Sequence, residues 1–299
     1  MIPRLLLSLA LVLLLVPAFA FAEEPAAEEK EPIPPLADEE IAKEVLKVFK
    51  TDFKARGYKG DEKLGMKEAA MRTLAATQHP LVADRLFKLT RDRDADIRTL
   101  AVLYLGYQRA LPGYAGPLVV KAIEAQSSDP IFAMFGIEAI EQLEYRGGVD
   151  LMRALMAHKD EGVKKVAILY IGDAKEWRML PDLLQLMKDL KIDKGWKTEG
   201  HEVRYDSGAA GDADQKKAEA IYKAKYGKSK GKAKSGGRAM RDMKPVLLET
   251  MKNLTGKDFF QGASARDWAD ENKELVTKEQ KALTELEAKQ KAEAEALDD

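Results

Sequence analysis

The chain of 299 residues contains no cysteine, and this absence excludes disulfides, thiolate nucleophiles and cysteine-based zinc sites. It also excludes a lipid anchor attached through a cysteine thiol. Aromatic residues make up only 7% of the sequence, and there are only three histidines. Without covalent cross-links, a chain of this length must be stabilised by its apolar core alone.

Neither sign of charge is in excess, because 49 lysines and arginines face 50 aspartates and glutamates. A nucleic-acid-binding domain is usually basic, so the overall charge does not indicate nucleic acid as a partner. Alternating β-branched residues are scarce, whereas Ala, Leu, Lys, Glu and Met dominate and favour helix. The composition therefore predicts an all-α fold.

Signatures of catalysis are missing as well. The sequence has no His-Glu-x-x-His, no Gly-x-Ser-x-Gly and no phosphate-binding loop. His79 and His158 stand in turns and read as ordinary surface residues. The sequence therefore predicts a protein that is not an enzyme and has neither a catalytic residue nor a cofactor.

Residues 1–22 have the organisation of a secretory signal peptide. Arg4 supplies the positive charge, Leu5 to Val16 form an apolar run interrupted only by Ser8, and Ala20-Phe21-Ala22 is a small-x-small cleavage site. The alternative is an uncleaved membrane anchor, for which the run is short. We predict cleavage between Ala22 and Glu23 and a periplasmic or secreted protein with no membrane span after cleavage.

The first testable prediction is that the mature protein begins at Glu23. Export removes the apolar segment because the small side chains at the cleavage site fit a signal peptidase. Mass spectrometry of the protein from its native cells measures the N-terminal peptide directly. A membrane-bound chain that retains residues 1–22 would contradict the prediction.

Four segments in the middle of the chain share one apolar pattern. Apolar or small residues stand at x, x+4, x+5 and x+8, where x is Met66, Ile97, Phe132 or Val163, at spacings of 31, 35 and 31 residues. The position x+4 is small, as in Ala101, Gly136 and Ala167, and it allows a neighbouring helix to approach closely. In the last three segments Asp94, Asp129 and Asp160 stand three residues before x, where a carboxylate caps a helix. The pattern is typical of an internal repeat.

A second helical segment follows each of these, introduced by Pro80, Pro117, Gly148 and Pro181. A two-helix unit of about thirty residues cannot bury both of its apolar faces alone, so the units are expected to stack.

These units resemble HEAT repeats over residues 62–191, in the short form of bacterial proteins related to phycobilisome lyases. Asp94 to Arg98 lies nearest to the family pattern, and the third unit departs from it at Phe132, Ala133 and Gly136. The resemblance implies a right-handed α-solenoid of stacked two-helix repeats with a helical C-terminal tail. Because the family includes scaffolds, inhibitors and a few enzymes, the resemblance alone does not assign a function.

The remaining segments complete the predicted organisation. Residues 23–37 form an acidic, proline-rich linker, and residues 38–193 hold an N-terminal helix capped by Asp38 together with the repeats. Residues 194–276 are a divergent repeat with loop insertions and a capping segment. Residues 254–276 resemble the closing segment of exported bacterial HEAT-repeat proteins, and the resemblance implies that Phe259 and Trp268 close the open apolar end. Residues 277–299 form a charged helical tail, either solvated or bound to a partner, and a solvated helix is the favoured interpretation.

One candidate metal site lies in the loop around His201. Its oxygen and nitrogen donors are Glu199, His201, Glu202, Asp206, Asp212 and Asp214. The spacing matches no known calcium or zinc motif, so no metal ligand is predicted. A metal-dependent or lyase-type enzyme that uses this loop is the alternative to a binding protein.

A second candidate is a basic run without an intervening acid. Its members are Lys228, Lys230, Lys232, Lys234 and Arg238. The run either binds an anionic surface of the cell envelope or is a solvated linker. The sequence as a whole predicts a non-catalytic scaffold of the bacterial cell envelope, which holds a protein partner on the solenoid surface and does not bind nucleic acid.

Overall fold

A computed structural model describes residues 32–54, 57–190, 192, 235–259 and 262–298. These residues form twelve α-helices and one short 3-10 helix, which confirms the predicted all-α class. The signal peptide and the His201 loop lie outside the described residues. Among the described helices, none has both the length and the apolar run that crossing a membrane requires.

The helices follow one another in chain order. They are α1 Glu39–Asp52, α2 Gly60–Ala75, α3 Pro80–Leu89, α4 Ala95–Leu105, α5 Pro112–Ala125, α6 Pro130–Gln142, α7 Val149–Met156, α8 Glu161–Asp173, the 3-10 helix Trp177–Met179, α9 Leu180–Asp189, α10 Ser235–Thr255, α11 Gly262–Glu271 and α12 Lys273–Asp298.

The predicted aspartate caps are confirmed at three helix starts. The carboxylates of Asp94, Asp129 and Asp160 accept hydrogen bonds from backbone N–H groups in the first turns of α4, α6 and α8. Each bond satisfies a donor that the helix itself leaves without a partner. Asp38 occupies the same position before α1, but its side chain makes no capping bond.

The even-numbered helices pack in a row, with α2 against α4, α4 against α6, α6 against α8 and α8 against α10. The small x+4 residues lie at close contacts, as predicted: Ala101 and Ala167 are fully buried. At Gly136 a Cβ atom would lie only 2.4 Å from the Cγ1 of Ile123 on α5. Met66, the first position of the pattern in α2, is the exception, since it is 37% exposed.

Helix α5 begins earlier than the sequence predicts. It starts at Pro112, so Pro117 lies inside the helix and does not introduce it. Pro112 fits the first turn because its fixed φ is helical and its missing N–H would have no partner there. The carbonyl of Gly113 then loses its usual i+4 donor at Pro117, and the helix continues without that bond.

The C-terminal helices return to the body of the protein. Helix α10 packs against α8, and its Met243, Leu247 and Met251 are buried. It begins at Ser235, so the end of the basic run at Arg238 is helical, since extending a formed helix costs little. Trp268 of α11 stacks on Trp177 at 6.2 Å between ring centroids.

Two segments predicted to be solvated make contacts instead. Leu36 forms a β-bridge with Gln78, and the N–H of Ala37 donates to the Gln78 carbonyl at 3.0 Å, so the end of the linker is held against the repeats. Helix α12 packs against α5 and the 3-10 helix, so the favoured interpretation of the tail as a solvated helix is wrong. Its contacts are largely polar, which is why the apolar pattern did not show them.

Candidate functional site

Most of the predicted candidates cannot be placed. The His201 loop and Lys228, Lys230, Lys232 and Lys234 lie outside the described residues, and Arg238 lies on the first turn of α10. Within the described ranges, no group of three or more histidine and carboxylate side chains is arranged to hold a metal ion.

The side chains of the two described histidines make hydrogen bonds to backbone groups. The Nδ1 of His79 accepts from the N–H of Leu81 at 3.1 Å and caps α3. The Nδ1 of His158 accepts from the N–H of Asp160 at 3.0 Å, and its Nε2 lies 3.0 Å from the carbonyl oxygen of Ser127. Both imidazoles are half-buried and act as local structural caps.

An apolar groove lies between α1 and α2. Its lining comprises five apolar, two acidic and one hydroxyl side chain: Val45, Val48, Phe49, Ala70, Leu74, Glu44, Asp52 and Thr73. The volume of about 130 Å³ is close to that of a cavity of ~150 Å³ that accepts benzene. The groove therefore has room for one apolar side chain.

The side chains that α1 directs toward the core, and those that it leaves exposed, determine the shape of this groove. The sequence places Ile41, Val45, Phe49 and Phe53 on one inward stripe, but Ile41 is 52% exposed and Ala42 is fully buried in its stead. Phe49 is buried in the core, and Val45 and Phe53 pack against it, so Ile41 alone departs from the expected stripe. Val48 also lines the groove and is 48% exposed, which leaves apolar surface open.

The position of the groove in the helix row explains why it is open. Helix α4 lies between α2 and α6, whereas α2 has its main contact within the row, among the described helices, with α4. Helix α1 packs on α2 and α3, much as α3 packs on α4 and α5. The groove therefore lies where a preceding even-numbered helix would pack, and the described residues supply none.

Exposed apolar side chains concentrate at the same end of the described chain. Among the residues that the structure describes, ten large hydrophobic residues are exposed, and six of them lie within residues 33–66. These six are Ile33, Leu36, Ile41, Val48, Tyr58 and Met66. Single exposed hydrophobic residues are ordinary, and of these six Val48 lines the groove.

Comparison with known proteins does not assign this arrangement. No protein-family model, no curated protein and no solved structure matches the chain.

Proposed function

We propose that the protein is a non-catalytic, protein-binding scaffold of the bacterial cell envelope. In this proposal the stacked helices form a right-handed α-solenoid of HEAT-like repeats, and the partner binds at its N-terminal end. The observation that carries the proposal is the groove between α1 and α2, which is apolar at its floor, open, and not covered by any helix of the described residues. Stacked repeats commonly bind partners through such continuous surfaces.

The lining determines the kind of partner that fits. Phe49, Ala70 and Leu74 form a buried apolar floor, and Glu44 and Asp52 add negative charge. An amphipathic helix with one large apolar anchor and flanking lysines or arginines complements both features. Such a helix would occupy the place of the missing member of the even-numbered row.

The second testable prediction concerns Thr73, an exposed residue of the lining. We expect Thr73→Lys to abolish binding of the partner, because the longer side chain fills the groove and its ammonium group repels a basic helix. A photo-crosslinking residue at Val48 in native cells provides the measurement. It should label one discrete protein in the parent chain and none in the Thr73→Lys variant.

Thr277→Lys on α12 is the matched control. Both threonines are exposed on helices, and both hydroxyls donate to the carbonyl four residues earlier, at 3.0 Å for Thr73 and 2.8 Å for Thr277. The control therefore makes the same chemical change away from the groove and should leave the crosslink intact. Equal labelling in the two variants would mean that the groove does not hold the partner.

A further inference from the structure

Four connections between helices, α2–α3, α4–α5, α6–α7 and α8–α9, lie along one edge of the stack, which we call the turn edge. Helix α12 lies along this edge. The side-chain amide of Gln280 donates to the carbonyl of Trp177 at 3.1 Å, and Glu287 pairs with Arg178. Further along, Gln290 contacts the α6–α7 connection, and Ala294 lies beside Gly113 at the start of α5. The helix thus spans three successive connections.

The side chains of α12 that face this edge follow a regular spacing. They are Val276, Gln280, Leu283, Glu287, Gln290 and Ala294, separated by steps of four and three residues. All six are half-buried or buried, and the spacing is that of a coiled-coil seam. Three of the six are polar, so a search for an apolar stripe does not find the seam.

Two glutamines of the solenoid show how the turn edge is held together. Gln78, only 2% exposed, donates to the carbonyl of Tyr107 at 2.9 Å and accepts from the N–H of Ala110 at 3.1 Å. Gln108, fully buried, donates to the carbonyl of Ala75 at 2.8 Å and accepts from the N–H of His79 at 3.2 Å. Each amide therefore satisfies one carbonyl and one N–H of the neighbouring connection.

Gln290 makes the same pair of bonds to the α6–α7 connection. Its amide donates to the carbonyl of Glu144 at 3.0 Å, and its oxygen accepts from the N–H of Arg146 at 3.0 Å. Gln290 is 6% exposed, and among the described side chains of α12 it is the most deeply buried. Although it lies far away in the sequence, its side-chain amide therefore plays the same structural part as the amides of Gln78 and Gln108.

A charged cluster fixes the start of the contact. Arg178 binds the carboxylate of Glu176 through two bonds of 2.7 and 2.8 Å and also pairs with Glu287 of α12. Burial lowers the pKa of Arg178, but the hydrogen bonds and charges of Glu176 and Glu287 outweigh it and leave the pKa above its ordinary value. The guanidinium is therefore charged wherever the protein is folded, and it selects an acid on the bound helix.

Gly113 forms a notch for the helix backbone. A Cβ atom at this position would lie 1.8 Å from the carbonyl oxygen of Gln290 and 3.2 Å from the Cβ of Ala294. Only a glycine on α5 and a small residue on the facing helix allow so close an approach. The turn edge therefore favours a helix that carries an acid, a glutamine and a small residue at the spacing of residues 287, 290 and 294.

The apolar surface that holds α12 in place is small. Leu275, Leu286 and Leu297 are 42%, 40% and 38% exposed, and of the seam only Val276 and Leu283 are large and apolar. Elements with few buried apolar contacts open at a lower free energy than the core does.

We propose that the turn edge of α5, the α6–α7 connection and the 3-10 helix is a second helix-binding surface, and that α12 is its resident occupant. The partner that displaces α12 presents a helix with Glu, Gln and Ala at the spacing of residues 287, 290 and 294. This surface is distinct from the groove between α1 and α2, and the proposal does not depend on it.

The third testable prediction uses a fluorescent peptide of residues 273–298 as the probe, titrated into the full chain. The parent chain binds it weakly, because its own α12 competes at the high effective concentration of a linked segment. A chain with Gln290→Ala should bind the parent peptide about tenfold more tightly, because its own helix leaves two backbone groups of the α6–α7 connection without partners. A peptide that itself carries Gln290→Ala should bind the Gln290→Ala chain about tenfold more weakly than the parent peptide does.

Two further variants separate the surface from the helix. Adding Gly113→Ala to the Gln290→Ala chain should abolish peptide binding, because the notch then excludes any helix backbone. Adding Gly65→Ala instead should change nothing, since a Cβ there meets no atom within 4 Å. The proposal is overturned if the Gln290→Ala chain does not bind the peptide, or binds it equally with and without Gln290. The peptide substitution decides the question even if the Gly113→Ala chain does not fold.

Discussion

Replacing Arg178 with methionine is expected to cost about 3–5 kcal/mol of unfolding free energy, because it leaves a buried carboxylate without its partner. Glu176 is 2% exposed, and Arg178 provides the two shortest of its bonds, at 2.7 and 2.8 Å. The substitution also removes the donors to Glu287 and to the carbonyl of Arg146. Chemical denaturation followed by circular dichroism measures the loss.

Arg153→Met is the matched control for this fourth prediction. Arg153 also binds two carboxylates, Asp150 at 2.8 Å and Asp182 at 3.1 Å, but its side chain is 47% exposed. Water replaces the lost bonds there, and an exposed ion pair contributes about 0–1 kcal/mol. Similar losses in the two variants would mean that the Glu176–Arg178 pair is solvated and does not hold the turn edge together.

The contrast between these arginines shows what the sequence could not predict. Both are followed or preceded by acids at short range, and nothing in the local pattern distinguishes a surface pair from a buried one. Arg178, the partner of Glu176, also pairs with Glu287 of α12, which lies 109 residues away in the sequence. Such a contact follows from the course of the whole chain and not from the residues near either partner.

Much of the helix row was predictable because its signals are local. The caps at Asp94, Asp129 and Asp160 and the small residues Ala101 and Ala167 lie at fixed offsets within each unit, and periodicity alone identifies them. The seam of α12 was not predicted, because three of its six members are polar: Gln280, Glu287 and Gln290.

The sequence did not predict the candidate groove, and the reason is different. Val45, Phe49, Ala70 and Leu74 were all expected to face inward, and three of them are indeed buried. That they also line an opening follows from the absence of a preceding even-numbered helix among the described residues. Periodicity identifies which residues are apolar, but it does not show whether another helix covers them.

The fifth prediction concerns Gly106, which follows the last residue of α4 and lies close to α6. A Cβ atom at Gly106 would lie 2.7 Å from the Cα of Ala139, and a backbone atom cannot turn away as a side chain can. Gly172 makes the corresponding approach to Thr250 of α10, at 2.9 Å from its carbonyl oxygen, and the two glycines end the related stretches LYLG and LYIG. We expect Gly106→Ala to destabilise the protein by about 1–3 kcal/mol, as overpacking does.

Gly65→Ala is the same chemical change, but we expect it to raise the unfolding free energy and not to lower it. Gly65 lies inside α2 with no atom within 4 Å of a Cβ, so alanine should add about 0.5–1 kcal/mol through its higher helix propensity. Gly106 also has a helical backbone, with φ at −60°, so alanine fits its conformation and only the crossing opposes it. Thermal or chemical denaturation of the two variants side by side measures the difference. If Gly106→Ala stabilised the protein as Gly65→Ala does, α4 and α6 would have to lie farther apart than this packing requires.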